Sequence, residues 1–294
     1  MSSPPLPQGA PATAPRKLTL AQRLDAYERL VRLDRPIGTL LLLWPTLSAL
    51  WLASYGRPTL ALVLVFSLGT LVMRSAGCAF NDWADRDYDA HVKRTADRPL
   101  ARGVIAPWEA LVVGGVLAAM AFALVVLATN RATVLLSVAG LAIAIAYPFC
   151  KRFLSLPQAF LGIAFSFGIP MAFAAVLGYV SAFGWWLFAF NLFWVVAYDT
   201  EYAMVDRDDD LRIGIRTSAI TFGRFDVAAV GVCYAIFLCG VAWLAWRVSL
   251  GLLFWIGFGC AVLLAIRHLW WIRTRERDGH AQTLVVSVQT PESL

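Results

Sequence analysis

Charge is scarce in this sequence: Lys, Arg, Asp and Glu make up 15% of its 294 residues, against 60% hydrophobic residues. Soluble domains carry about 25% charged residues, so the composition excludes an ordinary soluble domain and indicates a polytopic membrane protein. The hydrophobic runs also lack alternation of polar and apolar residues, which excludes a transmembrane β-barrel. The opening stretch, "MSSPPLPQGAPATAPRKLTLAQR", has no apolar segment of the kind a signal peptide needs. It is Pro- and Ala-rich, and residues 1–22 read as a disordered cytoplasmic tail. The five cysteines, Cys78, Cys150, Cys233, Cys239 and Cys260, have neither zinc-ligand nor CxxC spacing. They lie in or at the ends of apolar runs and read as small packing residues.

What the chain does have is length of apolar run. A helix needs about 20 apolar residues to cross a bilayer. Eight such runs occur, at 37–55, 59–80, 110–129, 132–150, 157–178, 182–203, 226–246 and 249–271. The expected fold is therefore all-α, a polytopic transmembrane helical bundle. Basic residues are nearly missing from alternate loops: Arg57, Arg131 and Arg247 are the only ones after spans 1, 3 and 7, and "GYVSAFG" after span 5 has none. The positive-inside rule then places both termini and the even-numbered loops in the cytoplasm. The net charge of +6 follows this topology and does not indicate nucleic-acid binding.

The acids are concentrated. More than half of them lie in two loops, "RSAGCAFNDWADRDYDAHVKRTADRPLARG" after span 2 and "YDTEYAMVDRDDDLRIGIRTSAITFGR" after span 6. Each is the second connection of a four-helix set, so the chain reads as two four-helix pseudo-repeats facing a shared cavity. Arg74, Cys78, Asn81, Asp85 and Asp89 fall at offsets 0, 4, 7, 11 and 15, and Asp199, Tyr202, Asp206 and Asp210 at 0, 3, 7 and 11. Each set forms one helix face. Asp208 and Asp209 fall off the second face and are expected to be solvated.

An acid at the centre of a membrane costs roughly 2.5–3.5 kcal/mol on insertion scales, so such faces must line water or meet a cation. Two of them brought together suit a hard divalent ion, Mg²⁺ above all, which keeps several waters and bridges to phosphate oxygens. Lys93, Arg94, Arg98 and Arg102 on the first loop, Lys151 and Arg152 after span 4, and Arg207, Arg212 and Arg216 on the second complete the set. A metal with Lys and Arg clamps is what a diphosphate leaving group requires. For each basic residue alone, topology is an equal explanation.

These motifs carry a resemblance. "NDWADRDYD" is similar to the NDxxDxxxD motif of the UbiA-type intramembrane prenyltransferases, and "YDTEYAMVDRDDD" to their second Asp-rich motif. "DRPIGTLLLLWPTLSALW", "MRSAGCAFND", "DAHVKRTADRPL" and "YPFCKR" resemble the 4-hydroxybenzoate polyprenyltransferase branch, and the resemblance covers residues 23–270. It implies transfer of a polyprenyl chain from its diphosphate to 4-hydroxybenzoate, ortho to the phenol, on the ubiquinone pathway. It also implies a bacterial inner membrane enzyme whose site opens to the cytoplasm. By motif, Asn81, Asp85, Asp89, Asp199, Asp206 and Asp210 would hold Mg²⁺ and diphosphate, with Asp82 in a less defined role. Asp85 and Asp206 would be central to catalysis. Lys151, with Arg152 beside it, would contact diphosphate, Tyr147 would face the reacting allylic carbon, and Tyr202 would stand beside Asp199. Arg74 occupies the place used for the aromatic carboxylate. The ring proton would leave to an Asp, a diphosphate oxygen or water.

Other readings stay open at this point. Another aromatic or tetrapyrrole acceptor fits the same superfamily, and a transporter also has duplicated halves and intramembrane charges. Tyr198 either hydrogen-bonds Asp199 or anchors at the interface. His91 reads as a solvated loop residue, and His268 and His280 have no partners at ligand spacing. Small residues in spans 4 and 5 open a tail groove or simply allow close packing. Pro45 and Pro170 are expected to kink their spans. One departure stands out: the family norm is nine spans, whereas 273–294 is a polar tail with only "TLVVSV" apolar. The prenyltransferase domain is thus expected over 23–272, with eight spans and a cytoplasmic C-terminus.

Overall fold

The computed structural model describes residues 19–150 and 153–273. The expectations for 1–18, Lys151, Arg152 and 274–294 lie outside the described residues. Among the described residues every regular element is helical: α1 (Leu20–Leu30), α2 (Ile37–Ala53), α3 (Leu60–Asp89), α4 (Pro107–Ala128), α5 (Arg131–Cys150), α6 (Pro157–Ser166), α7 (Gly168–Leu177), α8 (Ala182–Ile213), α9 (Ser218–Phe222), α10 (Asp226–Arg247) and α11 (Leu252–Ile272). A membrane-spanning fold is the physical reason: with no water to satisfy backbone groups, a helix satisfies them within itself.

Each of the eight expected spans coincides with a helix, the fifth with the pair α6 and α7. Six units are long and apolar enough to cross a membrane: α3, α4, α5, α6 with α7, α9 with α10, and α11. The other two positions are held by α2, which is shorter at 17 residues, and by α8. In α8 the stretch Ala182–Ala197 is free of charge, whereas the C-terminal part is crowded with acids. The fifth span breaks at Phe167, beside Pro170. A proline ring clashes with the carbonyl four residues back and removes its hydrogen bond, and here that carbonyl belongs to Ser166, the last residue of α6. Pro45, by contrast, sits inside an unbroken α2.

The two halves match in their long members. α3 and α8 have 30 and 32 residues, about 45 and 48 Å at 1.5 Å per residue, against a hydrocarbon core of about 30 Å. Both therefore carry their acids past the apolar layer. α3 packs chiefly on α4 and α8 on α10, the equivalent partner, while α2 against α7 and α5 against α6 join the halves. α8 ends at Gly214, whose φ of 74° is the left-handed conformation glycine adopts without penalty.

Helix α1 corrects one boundary. The stretch read as tail to residue 22 is already structured, because Thr19 caps α1: the Gln22 amide donates to its hydroxyl at 3.3 Å and Gln22 accepts from the Thr19 amide at 3.0 Å. Ala26 and Leu30 are buried against Ala79 of α3, Leu100 and Ile105 of the following loop, and Ala110 of α4. Arg23 and Tyr27 both donate to Glu109 at the start of α4. α1 and the strap 90–106 together cover the acid end of α3.

Candidate active site

The acid faces expected from spacing are buried. Asp82, Asp85 and Asp89 of α3 and Asp206 and Asp210 of α8 are all at most 8% exposed. Asp199 and Asn81 are half-buried. Asp209 departs from expectation: it too is buried, at 3% exposure. The strap from the first half covers it, and the Lys93 amide donates to its carboxylate at 3.3 Å. Asp208 is exposed, as its position off the face predicts.

The structure surrounds these carboxylates with arginine. Arg98 lies 3.0 Å from Asp82 and 2.7 Å from Asp89, and Arg32 donates to Asp82 at 2.8 Å. Arg94 forks onto Asp206, with its Nε at 2.9 Å and its Nη2 at 2.6 Å from Oδ2. Arg94 comes from the first half and Asp206 from the second, so this pair joins the two acid-bearing ends. Burial works against charge on Arg94, but the Asp206 carboxylate outweighs it and holds the guanidinium above its ordinary value. Burial also acts on Arg98, and with Arg32 close by its pKa falls below the usual value despite Asp82 and Asp89.

The remaining basic residues divide. Arg207, read as a possible clamp, pairs instead with Asp226 of α10 at 3.3 Å. Arg212 faces Asp209 at 3.9 Å and Arg102 faces Asp97 at 3.8 Å, and the side chains of Arg212, Arg102 and Arg216 are all exposed. Arg32, which no motif marked, is a first-half contact to Asp82. Its position just after α1 places it there, and α1 itself was legible only through the Thr19–Gln22 capping pair.

Elsewhere in the bundle Arg74 lies within electrostatic range of Tyr198 and Tyr202, both tyrosines within range of Asp199, and Tyr147 of α5 within range of Tyr198. Trp194, one turn before Tyr198, packs edge-on against it with ring centroids 5.2 Å apart. Trp194 also lines an apolar cavity of about 350 Å³ with Trp44, Leu187, Phe237, Val241 and Phe254. That volume lies at the lower end of ligand cavities. The cavity draws on α2, α8 and α10 more than on the small residues of α5 and α6 that suggested a groove.

Among the described residues no three His, Cys, Asp or Glu side chains gather closely enough to hold a metal ion. The seven residues expected as ligands lie on α3 and α8, with arginines paired to three of them. The donor set nonetheless fits Mg²⁺, being hard oxygen throughout. Asn81 Oδ1 and Asp82 Oδ2 are buried with no hydrogen-bond partner among the described residues. A buried acceptor without a partner is costly, and a cation bound there would relieve both.

Comparison with known proteins agrees with this architecture. The model of the UbiA prenyltransferase family matches residues 42–288. The chain is 61% identical to a 4-hydroxybenzoate octaprenyltransferase of Burkholderia vietnamiensis over 87% of this chain and 88% of the relative. It is also 61% identical to one of Ralstonia nicotianae, over 87% of each. Among solved structures, a UbiA homolog from Aeropyrum pernix K1 superposes with a TM-score of 0.72 at 27% identity, over 85% of this chain and 94% of the other. A UbiA homolog from Archaeoglobus fulgidus bound to GPP and Mg²⁺ shares the fold, with a TM-score of 0.68 at 18% identity over 90% and 96% of the two chains. An integral-membrane helical bundle with two acid-bearing ends and a matching family model admits one assignment: the chain belongs to the UbiA prenyltransferase family.

Proposed function

We propose that this chain transfers a polyprenyl group from its diphosphate to the carbon of 4-hydroxybenzoate ortho to the phenol, releasing diphosphate, as a step of ubiquinone biosynthesis. The observation that carries the reading is the joining of the two acid-bearing ends through Arg94 and Asp206. The names of the relatives support this acceptor over a naphthoate or tetrapyrrole.

Asn81, Asp85 and Asp89 from α3, with Asp199, Asp206 and Asp210 from α8, would hold Mg²⁺, and Asp82 keeps one oxygen for the same purpose. Bound Mg²⁺ would neutralise the diphosphate and favour its departure as a leaving group. Arg94 and Arg98 stand at the same end and can take phosphate oxygens by charge-assisted hydrogen bonds. Lys151 and Arg152 are assigned to the diphosphate by motif alone. The aromatic face of Tyr147 is assigned to the place where positive charge grows on the allylic carbon, since an aromatic face stabilises a cation. Arg74 orients the acceptor through its carboxylate. The bilayer and the apolar cavity beside Trp194 exclude water from the cation and receive part of the isoprenoid tail. Positive-inside topology supports a site facing the cytoplasmic side of a bacterial inner membrane, and the proposed domain runs over 19–272 with the bilayer as its partner.

The test is acceptor choice. Membranes containing the chain, polyprenyl diphosphate and Mg²⁺ would be offered labelled 4-hydroxybenzoate and a labelled dihydroxynaphthoate in competition. A lipid-extractable product from the benzoate alone is expected; product from the naphthoate alone would overturn the acceptor.

A further inference from the structure

Two hydrogen-bond donors are left over inside the bundle. Arg74 Nε and the Tyr198 hydroxyl are both buried with no hydrogen-bond partner among the described residues. They come from different halves, Arg74 from α3 and Tyr198 from α8, and lie within electrostatic range of each other. The Arg74 guanidinium is otherwise engaged only at one nitrogen in the described hydrogen bonds, against the Cys78 thiol. A thiol is a weak acceptor, so the cationic group is short of an anion.

The space it occupies is made by a third residue. At Gly38, near the start of α2, a Cβ would lie 2.5 Å from Arg74 Nη2, 2.8 Å from Nε and 3.0 Å from Cζ. Any side chain at 38 would therefore displace the guanidinium. Gly38, Arg74 and Tyr198 thus form a cradle in which a planar cation and a phenol present unused N–H and O–H groups. The two oxygens of one carboxylate can accept from both donors at once, and an anion also answers the positive charge of the guanidinium, which a neutral acceptor does not.

Resting on the proposed acceptor, we infer that Tyr198 is a second carboxylate-binding residue of the acceptor pocket, acting with Arg74, and that Gly38 is a specificity-determining residue that sets where the guanidinium lies. The acceptor carboxylate accepts from Arg74 Nε–H through one oxygen and from the Tyr198 hydroxyl through the other. With two donors fixed, the ring is held against rotation about its long axis. That constraint bears on which ring carbon faces the allylic carbon. It also places the Tyr198 ring, backed by Trp194, against the acceptor.

The experiment is calorimetric titration of the full-length protein in detergent with 4-hydroxybenzoate, and separately with a polyprenyl diphosphate, in wild type, Tyr198→Phe and Gly38→Ala. Tyr198→Phe keeps the ring and deletes only the hydroxyl. It is expected to weaken 4-hydroxybenzoate binding about tenfold, the effect of one hydrogen bond to a charged group, and to leave diphosphate binding unchanged. In turnover, KM for the acceptor should rise while kcat and KM for the donor hold. Gly38→Ala should weaken acceptor binding at least as much. If wild type binds 4-hydroxybenzoate and Tyr198→Phe binds it equally well, or if both ligands weaken together, the inference fails while the acceptor reading stands. If wild type binds the diphosphate but not 4-hydroxybenzoate, the acceptor reading fails and the inference with it.

Discussion

The acid-bearing end of α3 and that of α8 are built alike in sequence and secured differently. In the first half Asp82 and Asp89 are neutralised locally: Arg98 bridges them, and Arg32 adds to Asp82. In the second half Asp206 is matched by Arg94, which belongs to the first, and Asp209 accepts from the Lys93 amide of the same strap. Besides the Arg207–Asp226 and Arg212–Asp209 pairs, the second half provides uncharged contacts for itself. Ser218 donates from its amide to Gln158 at 2.9 Å and from its hydroxyl to Thr200 at 2.9 Å, and Tyr234 donates to Glu201 at 2.8 Å. Two acid faces are thus present, and among the described residues the cations paired with Asp82, Asp89 and Asp206 all come from the first half.

The sharpest way to break this comparison is at Arg98. Its side chain is 12% exposed and its partners Asp82 and Asp89 are 1% and 9% exposed. Arg98→Ala leaves buried Asp89 without its cation and takes one of two from Asp82, and removing one partner of a buried pair costs about 3–5 kcal/mol. Thermal unfolding in detergent should show the largest loss of any single change at this end. Arg98→Lys should recover only part, because both contacts run through Nη1 at the far end of the guanidinium, beyond the reach of the shorter lysine.

Next comes the uncharged side. Gln158→Leu leaves the buried Ser218 amide without its acceptor, and a loss of about 1–3 kcal/mol is expected. The same melt measures it, and hydrogen exchange should rise over 214–222 while the strap 90–106 keeps its protection. Smaller still is the effect of Arg94→Ala on stability. Its side chain is 40% exposed, so solvent screens the pair and about 1 kcal/mol or less is expected. Its signature is different: exchange should rise over the strap, and affinity for polyprenyl diphosphate should fall. An Arg94→Ala protein with an undisturbed strap would show that the halves are joined by something else.

Much of this was legible in the chain. The helix faces were, because a period of 3.6 puts Asp85, Asp89, Asp206 and Asp210 inward whatever covers them, and Asp208 stays exposed for the same reason. The positions of the spans were legible because the apolar runs have the length a bilayer demands. Asp209 was not, since its burial comes from a strap more than a hundred residues away in sequence. The choice for Arg207 between clamp and topology was not legible for a similar reason: its partner, Asp226, lies on a neighbouring helix. α1 is weakly apolar, so composition concealed it. The family resemblance located Arg74 but not the cradle around it, because Gly38 and Tyr198 act through space left open and a hydroxyl left unused.

The central claim is that both acid faces serve one Mg²⁺-dependent site. It is tested most directly by transfer of labelled 4-hydroxybenzoate to a lipid product in membranes, with Mg²⁺ or with EDTA, for wild type, Asp85→Asn, Asp206→Asn and the double variant. Removing one group that stabilises developing charge costs about 100-fold or more. Each single variant should lose at least that, EDTA should abolish turnover, and the double variant should be little worse than either single, since groups acting as a unit are not additive. Full activity in either single variant, or losses that multiply in the double, would contradict a shared site.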